Sequence, residues 1–133
     1  MKQAIRAALL IAAALLMMVG ACGYAGYVVP DLHGDLVEIG VRPSVLGGTV
    51  IHLYFGALAM FGFVLMVAAA AIQAIRGRTP ARLHLAIVAL IYVAFGALAF
   101  ARSHNPHHLG PVLMGVLIGG ALAVPDPSRS PTA

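Results

Sequence analysis

Three of the chain's six histidines, His104, His107 and His108, share the short polar stretch 102–110, Arg-Ser-His-Asn-Pro-His-His-Leu-Gly. Imidazole is the commonest metal ligand and also holds haem iron. The three stand at i, i+3 and i+4, which places them on one face if the stretch is helical. Asn105-Pro106 reads as a helix start, Asn capping and Pro in the first turn. A helix N-terminus disfavours a protonated ring, so His107 and His108 are biased to the neutral form that ligates. A second group, Asp31, His33 and Asp35, alternates along the chain and projects one way if that segment is extended. Imidazole with carboxylate suits a copper or zinc ion.

A b-type haem is the other chemistry these residues offer. It needs two histidines facing each other at similar depth, and His52 with His108 meets that condition, with His107 and His104 as alternates. Gly56, one turn beyond His52, leaves room for a flat macrocycle, and Arg102 or Arg42 can pair with propionates. The layout resembles that of small transmembrane b-type cytochromes and quinone-linked membrane anchors, without a family motif. Each residue also has a plainer reading. His52 can be an interface or packing residue, and His104, His107 and His108 ordinary loop residues. Asp31, His33 and Asp35 can be a solvated loop, and His84, set among arginines, can face headgroups.

Positioning any such site falls to four apolar runs, about 4–29, 45–75, 83–101 and 106–124. The 133 residues are 62% hydrophobic and 9% charged, where a soluble domain is nearer half apolar and a quarter charged. About 20 apolar residues cross the hydrocarbon layer, so each run is long enough for a membrane helix. The expected fold is all-α: four transmembrane helices in an antiparallel up-down-up-down bundle, followed by a disordered polar tail at 125–133. Lys2, Arg6, Arg76, Arg78, Arg82 and Arg129 fall on one side of such a bundle, Arg42 and Arg102 on the other. Positive charge stays inside, so both termini are expected in the cytoplasm of a bacterial-type inner membrane. His33, His52, His104, His107 and His108 then gather at the outer face. Residues 30–48 read as the longest polar connection.

Packing expectations follow from small residues, which mark helix contacts in lipid. Gly20, Gly23 and Gly26 offer a flat face, and Gly115 with Gly119 forms a small-xxx-small pair. The stripe His52, Gly56, Ala59, Phe63, Met66, Ala70 and Gln73 should point into the bundle. A different reading of the first run takes Lys2 and Arg6 as a signal n-region and Val19-Gly20-Ala21-Cys22 as a lipobox before a lipidated cysteine.

Several functions are disfavoured. A single cysteine allows no intrachain disulfide and no cysteine-built metal site. The basic residues sit at run ends rather than on a soluble patch, which points away from nucleic acid. No Asp or Glu lies within the four runs, against a cation-coupled transporter. No hydrolase or phosphate-loop motif is present, so catalysis by the chain alone is not expected. Two functions stay open. One is a haem- or metal-binding accessory of electron transfer or metal handling. The other is a cofactor-free structural or assembly subunit, binding other membrane subunits or its own copies through Gly/Ala faces.

Overall fold

The computed structural model describes residues 1–125; of the tail expected at 125–133, residues 126–133, Arg129 among them, lie outside the described residues. The described residues contain no strand. Helix α1 spans Lys2–Gly23, passes through a π-helical turn at Tyr24–Val28, and continues as α2, Val29–Glu38. Helix α3 is Pro43–Ile75 and α4 is Arg82–Ser103. A 3-10 turn at Pro106–His108 leads into α5, Leu109–Ala123. Four of these units are long and apolar enough to cross a membrane: Lys2–Glu38, Pro43–Ile75, Arg82–Ser103 and Pro106–Ala123. By length and composition the chain is thus a multi-pass membrane protein.

The first unit corrects the expected boundary. Residues 30–38 are helix rather than the start of a long polar connection. Pro30 has no N–H to give the carbonyl four residues back, and its ring crowds that carbonyl. The π-helical turn lies immediately before it and widens the ladder at that place. The rod therefore runs on past the proline. It ends at Gly40, whose φ of +73° suits a residue without a Cβ, with Val41 N–H donating to Leu36 O at 3.1 Å. Arg42 then caps α3 and Pro43 takes its first turn. The turn after α3 is built the same way, on Gly77.

Helix α1 is flanked by α3 and α5, and α5 by α4, while α3 and α4 meet over only a short length. Leu10, Met17, Val67, Val88 and Ile118 are fully buried at the centre. The closest packing is between α4 and α5. A Cβ on Gly96 would lie 2.8 Å from His108 O, and one on Gly115 would lie 2.7 Å from Ala89 O. Gly119, the other half of the expected pair, has nothing within 4 Å, nor have Gly23 and Gly26. Gly20 touches the end of Met114.

The inward stripe of α3 is also shifted by about one residue from the expected one. Ala57, Val64, Val67, Ala71 and Ala74 are buried, together with Ala70, whereas His52, Ala59, Met66 and Gln73 are exposed. Contact with α1 decides which side of α3 turns in. The β-branched Val64 and Val67 fill the space beside Leu10, Ala13 and Met17 better than the polar ends of the expected stripe would.

Candidate functional site

One end of the bundle is tied together by cations. Arg6 is 4% exposed although it stands on the second turn of α1. Its Nε donates to Ala121 O at 3.3 Å and an Nη donates to Val124 O. Arg82, at the start of α4, donates to Leu122 O. The last carbonyls of α5, which have no partner within their own helix, are thus capped by two guanidinium groups from other helices. Gln3 Nε2 reaches Gly77 O at 3.2 Å, which draws the α3–α4 turn to the same end. These residues were legible in the sequence only as a charge bias. The available signal for Arg6 was its place inside an apolar run, where a charge needs partners.

His33, His52, His104, His107 and His108 occupy the opposite end, while His84 stays at the basic end near the start of α4. His52 is exposed on α3, and its Nδ1 lies 2.6 Å from Gly48 O. A carbonyl can only accept, so Nδ1 carries the proton and, in the neutral ring, Nε2 keeps its lone pair for a ligand. Backbone anchoring of one ring nitrogen is the usual support for a ligating histidine. His108 is half-buried in the 3-10 turn that opens α5, and His107 is exposed beside it. Asn105 caps this turn as its type and position predict, accepting from His107 N–H at 3.0 Å. His104 does not share its face. It ends α4 in the left-handed region, φ 53°, with its ring tilted against Phe100. His104 thus leaves the backbone from a left-handed residue and His107 and His108 from the 3-10 turn, instead of all three from one helical face.

Three features of the geometry bear on the haem pairing. Phe63 on α3 and Tyr92 on α4 touch edge to face, 6.2 Å between centroids. About eleven residues further along each helix, His52 comes level with Ser103. His108 is level with Gly96, which its carbonyl nearly touches, so it sits about 10 Å deeper than His52. Helices α3 and α5 also flank α1 without meeting. The room beside Gly56 is filled by Tyr24, whose hydroxyl lies 3.8 Å from where a Cβ would stand. Arg102 is exposed in the last turn of α4 and Arg42 is exposed at the N-cap of α3.

The carboxylate group is rearranged as well. Asp31, His33 and Asp35 are exposed on helix α2 rather than extended. At helical spacing Asp31 and Asp35 share a face while His33 turns to the other side. Among the described residues, no three His, Cys, Asp or Glu side chains stand close enough together to hold a metal ion. No protein family matches the chain, and neither does any curated protein or solved structure. Cys22 is a free, exposed thiol within α1, and the helix runs unbroken through the lipobox-like residues.

Proposed function

We propose that the chain is a structural or assembly subunit of a larger complex in a bacterial-type inner membrane. Its four spans run up, down, up and down with both termini cytoplasmic, the basic end of the bundle facing in. The observation that carries this reading is the chemistry of the interior. Among the described residues Arg6 is the one charged side chain that is buried, and it is engaged by the end of α5. The connections between spans are a few residues long, so the chain's surface is almost entirely helix offered to lipid or to other helices.

One outward stripe of α3 suits a partner helix. Gly48, Phe55 and Gly62 recur every seven residues, Phe55 is 70% exposed, and neither glycine has an atom of another helix within reach of a Cβ. Small residues beside a large one let a second transmembrane helix approach closely. A photo-crosslinking residue at position 55 should trap a specific membrane polypeptide, or a second copy of the chain. The same residue at Leu98 on α4 should not. Gly62→Leu should abolish the crosslink and leave the unfolding midpoint unchanged. Equal labelling at both positions would refute the assembly reading.

A second reading rests on the anchored ring of His52. With His33 and His104 within one or two helical turns of its level, this rim can serve a haem- or metal-handling accessory, Nε2 of His52 being the primary ligand. Absorption spectra and metal assay of the purified chain decide it. A Soret band, or bound copper or zinc, that is lost in His52→Ala supports this reading over the first.

A further inference from the structure

We infer that the cleft between α3 and α4 at the basic end of the bundle binds an anionic phospholipid, with the phosphate at its mouth and an acyl chain along its floor. Below the Phe63–Tyr92 contact the two helices leave a cleft of about 190 Å³. Met66, Ala69 and Ala70 line it from α3, and Leu85 lines it from α4. Its polar walls are Gln73 and His84, which face it from the two helices near their ends. Arg76 and Arg78 stand exposed in the turn that joins those ends. Of the described residues, the carboxylates Asp31, Asp35 and Glu38 all lie on α2 at the far end. The mouth is therefore a cationic, donor-rich rim over an apolar slot.

Size and charge select the occupant. A transmembrane helix is about 10 Å across and does not fit a slot of this volume. Water gains little from apolar walls. Basic pockets between membrane helices take lipid phosphates, and the Gln73 amide and the His84 ring add hydrogen bonds to phosphate or ester oxygens. Dioleoyl lipids present the same acyl chains to the floor whatever the headgroup. Headgroup charge is thus the variable that separates this site from ordinary lipid contact.

The test uses the full chain, delipidated in mild detergent. Lipid retention is read by native mass spectrometry, and the thermal midpoint is followed alongside. Dioleoylphosphatidylglycerol should be retained and should raise the midpoint, and dioleoylphosphatidylcholine should do neither. Arg76→Gln with Arg78→Gln, both in an exposed turn, should weaken retention roughly tenfold. Ala69→Phe should fill the slot and abolish retention. Equal retention of the two lipids overturns the inference, as does wild-type retention in the double arginine variant. Displacement of phosphatidylglycerol by inorganic phosphate alone would mark a phosphate site without a lipid chain and would also overturn it.

Discussion

Arg6 and Tyr92 are the two polar side chains whose burial has the clearest energetic meaning. A guanidinium bonded to backbone carbonyls in a dry setting contributes more than a neutral pair would. Its charge also offsets the negative end of the α5 dipole. Arg6→Ala should therefore lower stability by about 2 kcal/mol, read by denaturant unfolding in detergent. Arg6→Lys should recover only part, because one ammonium cannot span both Ala121 and Val124. Tyr92 is 6% exposed, and its hydroxyl has no hydrogen-bond partner among the described residues. Tyr92→Phe keeps the edge contact with Phe63 and removes that buried oxygen. It should raise stability by about 1 kcal/mol; a loss in the same unfolding assay would mean that the hydroxyl is satisfied. What could be read in advance at this scale was local. Asn105 capping the His107 turn needs only neighbours two residues away, whereas the partners of Arg6 lie more than a hundred residues downstream.

The two glycines of the Gly115–Gly119 pair have opposite surroundings. A Cβ at Gly115 would meet Ala89 O at 2.7 Å and the Val93 side chain at 2.6 Å, so the helices must part to admit it. Gly115→Ala should cost about 2 kcal/mol by overpacking, and Gly119→Ala should be neutral or mildly stabilising through helix propensity. Unfolding of the two variants side by side checks this, and equal effects would contradict the α4–α5 packing. The spacing pointed to close approach on α5 but not to which glycine makes it, since the rotation of a helix depends on its neighbours. The same limit explains α3. Period 3.6 outlines several possible stripes on a helix this uniformly apolar, and the buried one is chosen by Leu10 and Met17 across the interface. For α2, Pro30 was read as opening a polar connection, although the lost N–H breaks only one hydrogen bond locally and the helix runs on to Glu38. What escaped was that a π-helical turn can absorb it.

Taken as a whole, four spans could be recognised from composition alone, because hydrophobic runs of membrane length have few other uses. A convergent site could not, because it depends on levels and rotations that composition leaves free. Reporter fusions test the orientation argued from the basic residues. Fusions at 40 and 105 should be active only outside the cytoplasm, and a fusion at 78 only within it. A cytoplasmic signal at 105 would reverse the assignment.

The two halves of the bundle differ in stature. Helices α2 and α3 continue roughly 15 Å past the connection that closes α4 and α5, while at the basic end all the spans are tied level. A bilayer surrounding such a body meets a tall flank and a short one. On the α5 side it must thin toward the 18 residues of Pro106–Ala123, and on the α3 side it need not. In a bilayer, a body of this shape would favour a thickness gradient around it. Shorter-chained lipids would collect along one flank, and neighbours of matching height would be drawn to the other.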